Sequence, residues 1–283
     1  MFKQVTIIGP GLLGASLILA VKKKQLAEKI VVWTRSIVGA ENVSKNLPAD
    51  KVEESLTYSV RGSDLVVVCT PVETITSILA SIVGALKTDC IVTDVGSVKT
   101  DICRKAEDLF KKSGANFIGS HPMAGSEKSG MEHANENLFI NRPCIVTPID
   151  EDNSTSLKKI SRFWEQLGMK SIFMNPEDHD KQLSDVSHLP HLISSILAHC
   201  LSDSAIDASS LCGQGLRDTV RIAGGSPELW AGILEQNQTN ILASLGKFQK
   251  SLQVAQSLIL ENNFTGLIEF LEKGTCFQKS LNK

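Results

Sequence analysis

Three closely spaced glycines near the amino terminus constrain the fold of this chain more than any other feature. The apolar run Val5–Ile8 leads directly into Gly9, Gly11 and Gly14, and Leu12–Lys24 continues with helical spacing. In such a turn the first glycine allows a tight bend, the second a close approach to the backbone, and the third close packing of helix on strand. The pattern predicts a strand, a glycine turn and a helix whose first amides bind a phosphate. A glycine-rich turn without a ligand is the alternative.

The first 175 residues alternate short apolar runs with longer segments of helical spacing. Nearly continuous apolar runs are typical of strands that are covered on both faces. Strands that alternate with helices predict an α/β domain of the Rossmann type, with a doubly wound, mostly parallel sheet. The predicted strands lie at 5–8, 30–33, 65–69, 90–95, 116–119, 144–147 and 170–174.

The pattern changes after residue 175, where long segments of helical spacing replace the strands at 176–201, 227–262 and from 264 onward. We therefore expect a dinucleotide-binding domain at 1–175 and an all-α domain at 176–283. The last helices are apolar nearly all round, and a partner subunit would bury such surfaces, so a homodimer is predicted. The apolar positions are Leu252, Val254, Leu258, Ile259, Leu260, Leu267, Ile268 and Leu271.

The composition excludes several other classes of partner. The chain has 29 basic and 31 acidic residues, so it lacks the excess of positive charge expected for binding nucleic acid or a membrane surface. Its seven cysteines are scattered without a CxxC pair, which indicates reduced thiols and a cytoplasmic protein. The apolar run Val5–Val21 contains three glycines and precedes its charges, so we read it as neither a signal peptide nor a membrane span.

The residues after the second strand should select the dinucleotide. A carboxylate at this point would bind the ribose 2′-hydroxyl of NAD, but the chain has two hydroxyls and a guanidinium, which suit the 2′-phosphate of NADP. We therefore favour NADP, with NAD as the alternative. The expected cofactor-binding residues are Gly9, Gly11, Leu12, Leu13, Gly14, Thr34, Arg35, Ser36, Cys69, Thr70 and Pro71.

Two residues follow predicted strands at the sheet edge where ligands bind in open α/β folds. Ser97 follows the strand that ends at Val95, and His121 follows the run that ends at Gly119. A histidine there can accept the proton of a substrate hydroxyl while hydride leaves the same carbon, and Ser97 can hydrogen-bond that hydroxyl. As alternatives, Ser97 caps the helix that begins near Thr100, and His121 is a buried turn residue.

The helical half supplies a second polar cluster. His188 and His191 lie three residues apart, and Pro190 between them predicts a kink because it leaves a carbonyl without its helical donor. Purely structural histidines are the alternative. No third ligand stands out beside them, so we predict no metal site.

Two arginines follow the loop that contains Gly213 and Gly215. Arg217 and Arg221 share a face if the segment is helical, and either could bind a substrate carboxylate through two hydrogen bonds. A salt bridge with Asp218 or Glu228 is the alternative.

Over nearly its whole length the chain resembles the prephenate and arogenate dehydrogenases, also called cyclohexadienyl dehydrogenases. The glycine turn is shared by many folds, whereas the His-Pro-Met-Ala-Gly and His-Leu-Pro-His segments are specific to this family. The matching segments, in order, are 9–14, 94–99, 121–125, 187–191 and 217–223.

The resemblance implies a Rossmann domain followed by a helical dimerisation domain. It also implies oxidative decarboxylation of prephenate to 4-hydroxyphenylpyruvate, or of arogenate to tyrosine, with reduction of NAD(P). By the same resemblance His121 is the catalytic histidine and Ser97 its hydrogen-bonding serine. The residues implied around the substrate are His188, His191, Arg217, Arg221, Glu127 and Trp230.

The segment Thr34-Arg35-Ser36 departs from the family members that carry an aspartate there and use NAD. It resembles the members that use arogenate and prefer NADP, whereas Glu127 resembles the prephenate-using type. Two other functions remain as alternatives: a 3-hydroxy acid dehydrogenase of similar build, and a non-catalytic NADPH-sensing module. The first usually has a lysine where this chain has His188 and His191.

Overall fold

The computed structural model describes residues 1–125, 128–149, 154–202 and 208–281. The chain divides into two compact units, Met1–Asn237 and Gln238–Lys283. The predicted domain boundary at residue 175 stays a prediction. The strands are β1 (Phe2–Ile8), β2 (Ala27–Trp33), β3 (Lys51–Glu53), β4 (Leu65–Val68), β5 (Ile91–Asp94), β6 (Asn116–Phe117), β7 (Gly119–Pro122), β8 (Pro143–Thr147) and β9 (Lys170–Phe173).

The helices of the first unit carry the connections of the sheet and then form its helical part. Those up to the last strand are α1 (Leu12–Lys23), α2 (Ile37–Asn46), α3 (Leu56–Ser59), α4 (Val72–Ile82), α5 (Thr100–Phe110) and α6 (Ser154–Gln166). Those that follow are α7 (Pro176–Leu183), α8 (Leu189–Ser202), α9 (Ala208–Leu211), α10 (Gln214–Val220) and α11 (Pro227–Gln236).

A six-stranded sheet of order β3-β2-β1-β4-β5-β6 forms the centre of the first unit, and every neighbouring pair of strands is parallel. This is the Rossmann strand order, so the predicted fold class is confirmed. The continuous apolar runs have a direct reason. Ile7 and Val67 face one hydrophobic core, while Ile8, Val66 and Val68 face a second core on the other side of the sheet.

The predicted strand at 116–119 is divided between two sheets. Its first half is β6, whereas its second half continues into β7, which pairs antiparallel with β8 in a separate sheet of order β7-β8-β9. His121 therefore lies within a strand, and the expectation that it follows one is wrong. Gly119 makes the change possible, because an ideal Cβ there would lie 2.4 Å from Thr147 Oγ1 and 2.8 Å from Cys103 Sγ.

The predicted helix at 176–201 contains a π-helical turn, Ser184–His188, between α7 and α8. The Leu189 amide donates to the Ser184 carbonyl, five residues back, directly before Pro190. The irregularity expected from the proline is thus a wider turn. The predicted helix at 227–262 ends its first part at Gln236, and the second unit begins at Gln238.

The second unit consists of α12 (Gln238–Leu260) and α13 (Phe264–Ser280). The turn between them includes Asn262 at a φ of +53° and Asn263, whose side-chain oxygen accepts from the Gly266 amide at 3.0 Å. None of the helices in the described ranges is both long and apolar enough to cross a membrane.

Candidate active site

The glycine turn lies where the strand order reverses, between the carboxyl ends of β1 and β4. Gly9 has a φ of +89°, and an ideal Cβ there would lie 2.7 Å from Thr70 Cγ2. An ideal Cβ on Gly14 would lie 2.1 Å from the Gly9 carbonyl oxygen, so no side chain fits. An ideal Cβ on Gly11 meets nothing within 4 Å, so the space beside this backbone is open. These three environments fit the dinucleotide turn.

The remaining residues predicted for the cofactor surround this turn. Leu12 and Leu13 open α1, which has no side-chain cap, so its first amides can serve an anion. The Cys69 amide donates to the Ile8 carbonyl at 2.7 Å, and this bond fixes the segment that continues through Thr70 and Pro71. Burial raises the pKa of the Cys69 thiol, so it is uncharged at neutral pH.

The segment after β2 forms the amino-terminal end of α2. Ser36 caps the helix, and its Oγ accepts from the Gly39 amide at 3.0 Å. Thr34 Oγ1 lies beside it, 2.7 Å from an ideal Cβ on Gly39. Arg35 is exposed and has no salt bridge with any residue in the described ranges. Two hydroxyls therefore lie together at this helix terminus, and the exposed Arg35 lies between them in the chain.

His121 is held by a chain of buried side chains. Its Nδ1 lies 2.9 Å from His179 Nε2, and His179 Nδ1 lies 2.8 Å from Asp180 Oδ1. Burial, with smaller contributions from His179 and Lys99, holds the pKa of His121 well below 6.5. His121 is 7% exposed, and its Nε2 makes no hydrogen bond within the described part of the chain. This nitrogen is therefore the atom available to a substrate.

Asp180 joins the helical part of the unit to the sheet. Its carboxylate accepts from the Lys99 amide at 2.8 Å and the Thr100 amide at 2.9 Å, and so caps α5 from a distance. Burial raises the pKa of Asp180, but hydrogen bonds from His179 and Thr100 outweigh burial and leave it lowered. Because α5 begins after Lys99 and has no local side-chain cap, the alternative role of Ser97 as its cap is wrong.

A buried ion pair fixes the loop that carries Ser97. Lys99 Nζ contacts Asp94 Oδ2, and both side chains are fully buried. Asp94 also accepts from the Gly96 amide at 2.8 Å and the Ser120 amide at 3.3 Å. The carboxylate thus holds the loop after β5 against the strand that contains His121.

His188 and His191 lie close to this group. Asn237 donates to the Asp180 carbonyl at 2.7 Å and lies 3.1 Å from His188 Nδ1, so the His188 proton must be on Nε2. That Nε2 is buried and has no hydrogen-bond partner in the described ranges. The Ser97 backbone lies beside the His188 ring. His188 therefore presents a buried donor that makes no hydrogen bond of good geometry, although the Ser97 backbone lies close enough to raise its pKa as a weak acceptor.

Trp230 completes this side of the site. The His191 ring stacks on it with centroids 3.5 Å apart, and the His188 ring meets it edge-on at 6.1 Å. Gly225 is needed at the end of the preceding turn, because an ideal Cβ would lie 2.7 Å from Trp230 Nε1. The structure thus brings together five predicted residues: Ser97, His121, His188, His191 and Trp230.

The two arginines are placed differently. Arg221 is exposed and begins the turn that leads to Gly225. Arg217 is exposed in α10, where it lines an open cavity of about 400 Å³ with Cys212 and other residues, none of them from the histidine cluster. It has no salt bridge with any residue in the described ranges, so the alternative bridge to Asp218 or Glu228 is absent for Arg217. Glu127 lies outside the described residues.

The sequence reasoning missed His179, Asp180 and Asn237, as well as the Asp94–Lys99 ion pair. The only local signal was the triplet Asp178-His179-Asp180 near the start of a helix, which is equally typical of a solvated first turn.

Two family models match consecutive parts of the chain. The model described as prephenate dehydrogenase, nucleotide-binding domain, matches residues 19–173. The model described as prephenate dehydrogenase, dimerization domain, matches residues 175–273.

Individual relatives match over nearly the full length. The cyclohexadienyl dehydrogenase of Zymomonas mobilis is 29% identical over 96% of this chain and 94% of that protein. The prephenate dehydrogenase of A. aeolicus, solved with hydroxyphenyl propionate and NAD+, superimposes with a TM-score of 0.90 at 29% identity, over 99% of both chains. Synechocystis arogenate dehydrogenase superimposes with a TM-score of 0.82 at 29% identity, over 98% of this chain and 99% of that chain.

Proposed function

The chain belongs to the prephenate dehydrogenase family, as predicted, and from that premise we propose that it oxidises and decarboxylates prephenate or arogenate with NAD(P)+. The observation that carries the proposal is His121, which is buried, uncharged at neutral pH and available at Nε2. The products would be carbon dioxide, NAD(P)H and either 4-hydroxyphenylpyruvate or tyrosine.

The residues of the site supply the proton chemistry of this reaction. The bound dinucleotide supplies the acceptor for the hydride that leaves the ring carbon bearing the hydroxyl. His121 Nε2 accepts the hydroxyl proton as that hydride departs. The carboxylate leaves as carbon dioxide, and its bonding electrons make the ring aromatic. The proton returns from His121 to the phenolate oxygen, so no net proton is consumed.

The other residues of the cluster would bind and orient the substrate and cofactor. His188 has a buried, poorly satisfied donor that a bound acceptor would satisfy, and the Ser97 backbone lies beside it. We propose that the Ser97 hydroxyl hydrogen-bonds the reacting hydroxyl. His191 and Trp230 form a stacked wall. We propose Arg221 for a substrate carboxylate, with Arg217 as a helper, because guanidinium groups bind carboxylates through two hydrogen bonds.

We propose NADP as the preferred dinucleotide. The support is the group of Thr34, Arg35 and Ser36 at the start of α2, where the hydroxyls and the guanidinium suit a 2′-phosphate. The A. aeolicus relative was solved with NAD+, which is the alternative cofactor for this chain.

Initial rates with prephenate and arogenate, each with NAD and with NADP, test the proposed function. We expect turnover with at least one substrate and a loss of kcat of a thousandfold or more in His121→Asn, because a general base is removed and its hydrogen bond to the reacting hydroxyl is weakened. His133→Asn, at an exposed histidine, should keep the wild-type rate. No turnover with either substrate, together with tight NADPH binding, would instead support the sensing module.

The cofactor preference has its own test. Arg35→Ala should lower kcat/KM with NADP by tenfold or more and leave kcat/KM with NAD nearly unchanged, because only the 2′-phosphate is lost as a partner. Arg104→Ala, which removes only a weak surface ion pair at 3.7 Å, should change neither value. Equal losses with both dinucleotides in Arg35→Ala would contradict the assignment.

We also propose a cytoplasmic homodimer that associates through α12 and α13. The match to a dimerization domain supports this, as do apolar side chains that are 50–74% exposed in the single chain. These are Leu252, Val254, Ile259, Leu260, Ile268 and Leu271. The seven free thiols support the cytoplasm, where disulfides are rare.

Light scattering tests the association and should give the mass of a dimer. The double variant Ile259→Glu, Ile268→Glu should shift the protein towards monomer, because it would place four carboxylates in the interface. Glu272→Lys, an exposed polar position of α13, is the matched control. A monomeric wild type would contradict the proposal.

A further inference from the structure

We propose that His179 and Asp180 are positioning residues that hold the neutral His121 in a single tautomer, with the proton on Nδ1 and the lone pair on Nε2. The catalytic use of that tautomer rests on the proposed function, whereas the tautomer itself does not. All three side chains are buried, at 7% exposure or less.

The first step concerns Asp180. Its carboxylate already accepts from the amides of Lys99 and Thr100, and these bonds favour the ionised form. A carboxylate has no proton to donate, so the ring nitrogen that contacts it must be the donor. His179 Nδ1 lies 2.8 Å from Asp180 Oδ1 and therefore carries a proton.

The second step concerns the contact between the two histidines. Burial lowers the pKa of His179 despite the opposing effect of Asp180, so this ring is neutral near pH 7. A neutral imidazole has one proton, and in His179 that proton is on Nδ1. Its Nε2 must therefore accept, and His121 Nδ1, at 2.9 Å, must donate.

The third step gives the consequence for His121. With Nδ1 protonated and burial keeping the ring neutral, Nε2 has its lone pair and can act only as an acceptor. That is the state required to take a proton from a hydroxyl. When His121 becomes positively charged, its Nδ1 proton still has an acceptor in His179, and Asp180 supplies the compensating negative charge beyond it.

The backbone gives this arrangement a fixed frame. Asp180 accepts hydrogen bonds at the amino-terminal end of α5, and His121 lies in a strand paired with β8. The first and last residues of the Asp180–His179–His121 series are therefore held by different elements. A positioning group held in this way selects both the tautomer and the orientation of the base.

Nitrogen NMR of the full-length protein with ¹⁵N-labelled histidine tests the proposal without substrate or cofactor. The nitrogen chemical shift separates a protonated ring nitrogen from an unprotonated one, and His121→Asn assigns the signals. We compare the wild type with His179→Leu, which removes the acceptor, and His179→Gln, whose side-chain oxygen can replace it. His133→Leu, at an exposed histidine, is the matched control.

We expect an unprotonated Nε2 on His121 in the wild type, in the control and in His179→Gln, and a mixture of tautomers in His179→Leu. The kcat of His179→Leu should fall about a hundredfold with KM changed by less than about threefold, and His179→Gln should stay within about tenfold of wild type. A proton on Nε2 in the wild type would overturn the proposal. So would a His179→Leu variant that keeps both the tautomer and the kcat. An inactive wild type with the expected tautomer would refute the proposed function alone.

Discussion

Lowering the pH should destabilise the folded chain, and His188 is the residue for which the structure gives a magnitude. Its side chain is 1% exposed, and burial lowers its pKa from 6.5 to about 4. In the unfolded state His188 binds a proton below pH 6.5, whereas in the folded state it does so only near pH 4. The contribution of His188 to the free energy of unfolding is therefore fully present above pH 6.5 and is lost as the pH falls from 6.5 towards 4. Between pH 7.5 and pH 5 this difference corresponds to about 2 kcal/mol.

Urea unfolding at fixed protein concentration, at pH 7.5 and pH 5, measures this loss in the wild type and in His188→Asn. Asparagine does not titrate, and its oxygen can accept from Asn237 in place of His188 Nδ1. Each protein is compared with itself, so a lower stability of the variant at both pH values does not matter. The wild type should lose about 2 kcal/mol more than His188→Asn. The exposed-site variant His133→Asn should lose as much as the wild type. Equal losses in the wild type and His188→Asn would refute the reasoning.

Three further predictions concern other parts of the site. The kcat should stay constant from pH 8 to 6.5 and fall only at lower pH, because burial holds the pKa of His121 well below 6.5 and the unprotonated form is active. A decrease of kcat that begins at or above pH 6.5 would contradict this. Gly14→Ala should lower the Tm, because its Cβ meets a backbone oxygen. Gly11→Ala should keep the Tm and weaken dinucleotide binding tenfold or more, because its Cβ enters the open space that the dinucleotide would fill. Calorimetry measures the Tm and the binding of both variants, and equal effects of the two substitutions would refute this. Asp180→Ala should lower the unfolding free energy by about 3 kcal/mol, because one buried amide, one part-buried amide and a buried histidine lose a charged acceptor. Asp178→Ala, at the surface, should cost less than about 1 kcal/mol in the same urea experiment.

The parts of the fold that could be predicted depend on neighbours in sequence. Gly9 and Gly14 satisfy backbone requirements within six residues of each other, so a short pattern is sufficient. The buried strands follow from composition alone, because residues on both faces of a covered parallel sheet are apolar. Even the irregularity before Pro190 could be expected, since a proline removes one helical donor.

The parts that could not be predicted depend on distant contacts. His179 meets His121 from 58 residues away, and Asp180 caps α5 from 80 residues away. Asp178 and Asp180 look alike in the sequence, yet the first is exposed and the second is 2% exposed. The division of residues 116–119 between two sheets has the same origin, because the contacts that require Gly119 come from other elements.

The π-helical turn explains how one helical segment can direct both Asp180 and His188 towards the same loop. Asp180 and His188 are eight residues apart, and in a regular α-helix they would point about 80° away from each other. The wider turn Ser184–His188 absorbs one residue, which reduces the difference to about 20°. Both residues can then face the loop before α5: Asp180 binds the Lys99 amide, and His188 lies beside Ser97. Asn237 contacts both residues, at the Asp180 main-chain carbonyl and at His188 Nδ1. The π-turn therefore allows the carboxylate that accepts from His179 and the ring of His188 to face the same loop, although a regular helix would turn them apart.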